Sequence, residues 1–107
     1  ATVTVCHTKT VNTAEVARSA DILVSAAGVL GSLTKEYVRP GQVVIDVSIN
    51  WDAEKPNAKG GKGAIAGDAK FEEVEPIVEA ITPVPGGVGS VTTSVLMKHV
   101  VEAAERA

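Results

Sequence analysis

Short apolar runs alternate with amphipathic stretches along this chain, and that alternation predicts strands interleaved with helices. Thr2-Val3-Thr4-Val5-Cys6 is short and β-branched and reads as a first strand. Asn12-Thr13-Ala14-Glu15 carries the Asn cap and the later Glu that open a helix, and Val16, Ala17 and Ala20 give that helix one apolar face. Ile22-Leu23-Val24-Ser25-Ala26-Ala27 predicts a second strand, ended by Gly28. A short helical piece is expected from Leu33 to Val38 before Pro40-Gly41 stops it, and Val43-Val44-Ile45-Asp46-Val47 predicts a third strand. These runs are continuously apolar instead of alternating, as strands of a parallel sheet covered by helices on both faces must be.

Residues 50–62 differ in kind. They are polar and rich in Lys, Gly and Asn, with Trp51 as the one large apolar group, and read as a surface excursion or loose hairpin. Gly67-Asp68 precedes an expected helical turn at Phe71-Glu72-Glu73-Val74, and residues 77–82 carry the chain back as a last strand. A final helix holds Val91, Val95, Leu96, Val100, Val101 and Ala104 at helical spacings, a stripe expected to face the sheet, with Glu102, Glu105 and Arg106 left to solvent. The fold class is therefore α/β, a Rossmann-like doubly wound parallel sheet. It lacks its first strand, glycine-rich loop and first helix, because no G-x-G-x-x-G stretch precedes Thr2. In the usual order that strand is central, so the sequence reads as part of a longer enzyme or as a fragment completed by another segment.

Composition narrows the partners. With 107 residues the chain is one domain at most, and 45% hydrophobic content is enough for a core. A net charge of −3 with both signs scattered and no basic run argues against nucleic acid. No apolar stretch has the length of a membrane span, and no signal-peptide layout opens the chain. One cysteine points to a reducing, cytoplasmic setting. His7 and His99 lack Cys or acidic neighbours at ligand spacing, so no metal site is expected. Asp46 and Asp68 adjoin the expected cleft and read as hydrogen-bonding braces for loops, not as general bases, and no residue reads as a chemical catalyst.

The richest chemistry lies in Thr82-Pro83-Val84-Pro85-Gly86-Gly87-Val88-Gly89-Ser90-Val91-Thr92. Two prolines stiffen the approach, the glycines remove β-carbons that would keep a flat ligand from the backbone, and the following helix offers free N–H groups. The plain alternative is a strand-to-helix turn. At the end of the first expected strand stand Cys6, His7 and Thr8, followed by Lys9, with no carboxylate before Glu15. An acidic residue there would accept from the ribose 2′-hydroxyl of NAD and repel a 2′-phosphate, so its absence favours NADP; the alternative is a capped strand end with an exposed His. Gly28 ends its strand at the sheet edge where open α/β sheets bind ligands, and a strand-ending turn explains it equally well.

These residues resemble the methylenetetrahydrofolate dehydrogenase/cyclohydrolase family. Residues 82–89 follow its TPVPGGVGPMT signature, Ser90 and Val91 replace Pro and Met, and Thr92 restores the match. Cys6-His7-Thr8-Lys9-Thr10 resembles CHSxT, and Ile45-Asp46-Val47-Ser48-Ile49-Asn50 resembles IDVGIN with Ser48 for Gly. Gly67-Asp68-Ala69 resembles GDV, while Gly28-Val29-Leu30 departs from G-x-P. Ser48 would narrow the site if the glycine served for room or a positive φ.

The resemblance implies a folate enzyme that oxidises 5,10-methylenetetrahydrofolate with NADP and, as in many members, hydrolyses the methenyl product, acting as a homodimer. It places residues 1–107 as a partial NADP-binding domain, with the catalytic residues in an absent folate-binding domain. Cofactor contacts are implied for Cys6, His7, Thr8, Gly28, Pro85, Gly86, Gly87 and Thr92. The departures and the missing front end also admit a non-catalytic nucleotide-binding or dimerisation module of the same fold.

Overall fold

The computed structural model describes residues 1–107. Helix α1 spans Thr13–Arg18 and strand β1 Ile22–Ser25. A single 3₁₀ turn at Lys35–Tyr37 leads to β2 at Val43–Asp46. Strands β3 (Asn50–Pro56) and β4 (Lys62–Ala66) form a hairpin, followed by α2 (Phe71–Val74), β5 (Ala80–Ile81) and the long α3 (Val88–Arg106). The main sheet is parallel, in the order β1-β2-β5, with Ile22 beside Val43 and Val43 beside Ala80. The antiparallel hairpin stands apart from it as a second sheet.

The doubly wound α/β reading of the middle of the chain holds. Strand β2 is central, and its Val44 is fully buried with Val74, Leu33 and Val38 in a small core flanked by Leu23, Ile77 and Ile81. A parallel bridge from Leu33 to Ala69 ties α2 to this core. The C-terminal end of α1 is satisfied from the loop before β2. Gln42, fully buried, donates its side-chain amide to the Ala17 and Ala20 carbonyls at 2.8 and 3.0 Å, and Arg39 Nε donates to the Arg18 carbonyl at 2.7 Å. A helix of six residues needs such partners, because its last carbonyls have none within the helix.

Four expectations are corrected. Thr2-Val3-Thr4-Val5-Cys6 is not a strand: it runs exposed and joins no ladder, since β1 is an outer strand of the sheet and has nothing but β2 beside it. Asn12 caps no N–H with its side chain, because its backbone is left-handed at φ 56°, which turns the amide away from the helix start. The stripe of α3 faces no sheet. Val91 is 61% exposed and Leu96 59%, and none of the helix is buried, because three short strands leave no face long enough to cover nineteen residues. The last strand is also shorter than residues 77–82, pairing only at Ala80–Ile81. With residues 1–12 and α3 standing off the core, the radius of gyration is 16.0 Å, against about 13 Å for a compact domain of this length. No helix is long and apolar enough to cross a membrane.

Candidate functional site

Two buried carboxylates organise the ends of the strands. Asp46, the last residue of β2, accepts from the Asp68 and Ala69 N–H groups at 3.2 and 2.9 Å and from the Ser48 N–H at 3.3 Å. Gly67 lets them meet: an added β-carbon there would lie 2.1 Å from Asp46 Oδ2. Asp68, fully buried, accepts from the Ser25 and Ser48 hydroxyls, from the Asn50 amide, and from the backbone N–H groups of Ala27, Gly28 and Val29. Burial alone raises its pKa, but the hydrogen bonds from Asn50, Ser48, Ser25 and Ala27 outweigh that and hold it below the usual aspartate value. Both aspartates thus brace the loops as expected from the sequence, each of their oxygens accepting at least one hydrogen bond.

Beside them, the glycine-rich stretch closes a cleft of about 350 Å³ lined by Asp46, Ser48, Ile49, Ile65, residues 83–90 and Thr93, near the lower end of the range for small-molecule sites. Thr82, whose N–H reaches the Val44 carbonyl, accepts from the Asp46 N–H at 2.9 Å and so fixes where the stretch leaves the sheet. From the hairpin, Lys55 donates its ammonium to the Ile65 carbonyl at 2.7 Å and to the Val84 carbonyl at 3.1 Å, pinning the stretch from the other side. The peptide before Pro85 is cis. Gly86 adopts φ +95°, and a β-carbon on Gly86 or Gly89 would meet nothing within 4 Å, so at these two positions the cleft wall is bare backbone. Gly87 differs, because its β-carbon would lie 2.3 Å from the Pro83 carbonyl oxygen. Helix α3 starts directly after Gly87 with no side chain capping it, which leaves N–H donors for a ligand.

Of the residues singled out by sequence, Pro85, Gly86 and Gly87 come together on this cleft. Thr92 does not line it. Its hydroxyl turns back to the Val88 carbonyl at 2.9 Å, while Thr93, one position on, lines the cleft. Gly28 lies across from it over Asp68, joined through Ser48. Cys6, His7 and Thr8 stay in the exposed N-terminal segment, where the His7 N–H donates to Thr10 Oγ1 at 2.9 Å and His7 Nδ1 accepts from the Lys9 N–H at 3.0 Å. Ser48 adopts no positive φ, so it replaces glycine without backbone strain. Lys55 and Thr93 escaped the sequence reading. A lysine in a polar hairpin looks solvated, and only the neighbouring signature could have drawn notice to Thr93.

The family described as tetrahydrofolate dehydrogenase/cyclohydrolase, NAD(P)-binding domain, matches residues 1–107. The chain belongs to this family. Its similarity to other members of the tetrahydrofolate dehydrogenase/cyclohydrolase family is close. The bifunctional protein FolD of Carboxydothermus hydrogenoformans is 56% identical over 105 residues, which are 98% of this chain and 34% of that protein. The bifunctional 5,10-methylenetetrahydrofolate dehydrogenase/cyclohydrolase structure from Thermoplasma acidophilum matches with a TM-score of 0.81 at 47% identity, over 97% of this chain and 35% of the other. A Trypanosoma brucei enzyme solved with NADP cofactor and inhibitor matches with a TM-score of 0.74 at 38% identity, over 88% of this chain and 32% of that one. The chain thus spans about a third of the length of the curated relatives it matches.

Proposed function

We propose that this chain is the NADP-binding part of an enzyme that oxidises 5,10-methylenetetrahydrofolate and hydrolyses the methenyl product, its folate-binding and proton-moving residues lying in another domain. The observation that carries the reading is the bare glycine wall at the start of α3, in a chain similar to a relative solved with NADP. NADP, when bound, accepts the hydride. Hydride transfer needs two flat rings held face to face, so the work left to this chain is placement. Gly86 and Gly89 leave room for a ring against the backbone, and the first N–H groups of α3 offer donors to a carboxamide oxygen. Thr82 and Lys55 keep that wall in place from two sides. The preference for NADP over NAD rests on the stretch Cys6-His7-Thr8-Lys9, which carries no carboxylate. The exposed apolar face of α3 supports a homodimer or a second domain as its cover, and the single exposed cysteine supports the cytoplasm.

The test is Gly86→Ala in the complete enzyme. The positive φ makes alanine cost roughly 1–2 kcal/mol of stability, and its methyl enters the open cleft, where it meets no atom of the chain. Affinity for NADP should fall by about tenfold or more, the equivalent of 1.4 kcal/mol, while affinity for the folate substrate is retained. Unchanged NADP affinity would remove the cleft from the cofactor site.

A further inference from the structure

We propose that Ser48 is a positioning residue for the cofactor, acting with Asp68 as a clasp that fixes the Gly28 turn against NADP; the inference rests on the reading above. Three consecutive N–H groups of that turn, on Ala27, Gly28 and Val29, all point inward and donate to the Asp68 carboxylate at 2.9, 3.3 and 3.0 Å. Ser48 closes the arrangement with one hydroxyl used twice. It donates to Asp68 Oδ2 at 2.8 Å and accepts from the Gly28 N–H at 3.1 Å. The charge that gathers these donors is fully buried and is itself held by Ser25 and Asn50.

Two consequences follow for a ligand. The turn has no N–H left to give, so whatever packs on it meets the bare Cα of Gly28, whose missing β-carbon has nothing within 4 Å. Recognition there is by shape, and shape recognition is lost with small displacements of the wall. Ser48 also lines the glycine-rich cleft, so one side chain sets the spacing between the Gly28 turn and that cleft.

The experiment compares the complete wild-type enzyme with Ser48→Ala and Ser48→Gly. It reads NADP affinity by fluorescence titration, the KM and kcat split, and the hydrogen-exchange rate of the Gly28 amide. Both variants should speed exchange at Gly28 and raise Kd and KM for NADP by roughly three- to tenfold, the worth of one buried hydrogen bond. The folate KM and kcat should stay within about twofold, because the bond acts on ground state and transition state alike. Unchanged exchange at Gly28 would overturn the clasp, and faster exchange with unchanged NADP affinity would overturn its role toward the cofactor. A wild-type enzyme that turns over methylenetetrahydrofolate without binding NADP would instead overturn the cofactor reading, and this inference with it.

Discussion

Gly87→Ala should destabilise the protein by about 2–4 kcal/mol, as overpacking against fixed backbone does. The cause is contact. Gly87 lies at φ −103° and ψ −113°. Its β-carbon would stand 2.3 Å from the Pro83 carbonyl oxygen, 3.2 Å from the Thr82 β-carbon and 3.3 Å from Pro83 Cδ. Neither neighbour can yield cheaply: Thr82 is bonded to the Asp46 N–H, and Val84, next to Pro83, accepts from Lys55. Relief requires moving the whole segment between β5 and α3, so NADP binding should fall together with stability. Urea unfolding of wild type, Gly86→Ala and Gly87→Ala side by side checks this. Gly86→Ala should lose the lesser amount, because it meets strain without collision. Equal losses at the two positions would show that the segment is free to move.

Asp68→Asn is the second large effect, expected at about 3 kcal/mol or more near neutrality, since truncating a buried charge that collects several donors leaves those donors unsatisfied. An asparagine of the same size would turn an NH₂ toward donors on Ser25, Ser48, Asn50 and the residue 27–29 backbone. The pH dependence follows from the direction of the shift. The folded-state pKa of Asp68 lies below its ordinary value of 3.8. Its stabilisation is therefore complete above that value and is lost as pH falls through the lower folded-state pKa. The difference between wild type and Asp68→Asn should be constant at neutral pH and narrow in acid. Denaturant titrations at a series of pH values measure it. A difference independent of pH would mean that the carboxylate charge contributes nothing to the brace.

The parts of the fold legible in the sequence are those where local pattern and tertiary packing agree. Residues 43–46 are apolar without alternation and sit in the centre of a parallel sheet. Pro40-Gly41 and Gly28 end their segments as punctuation should. Residues 50–62 read as a surface excursion or loose hairpin, and a hairpin forms there; its strand bounds are not legible, because the pairing includes an irregularity between Asp52 and Pro56. Thr2-Val3-Thr4-Val5-Cys6 and the α3 stripe have the right residues for strand and core helix. Pattern specifies what a segment can bury and not what is there to bury it, and in this structure both remain exposed.

The site divides in the same way. Pro85, Gly86 and Gly87 are local chemistry and could be read directly, as could the brace role of Asp46 and Asp68. Ser48 could be seen as a substitution, but its two bonds reach residues 20 positions away in either direction, and no spacing rule links Gly28, Ser48 and Asp68. Lys55 depends likewise on a contact across 29 positions. Thr92 matched the signature by sequence, while its neighbour Thr93 lines the cleft, and the hydroxyls of both turn back to carbonyls four residues earlier in α3.

The most direct test of the central claim, that the glycine-rich cleft takes NADP, is a thermal melt of the purified protein with no cofactor, with NAD and with NADP. A ligand that binds only the folded state raises the midpoint by mass action, by about 2.7 kcal/mol of stability at a concentration one hundred times Kd. One cooperative transition is expected, raised by NADP and little moved by NAD. A cooperative transition indifferent to both cofactors would contradict that claim.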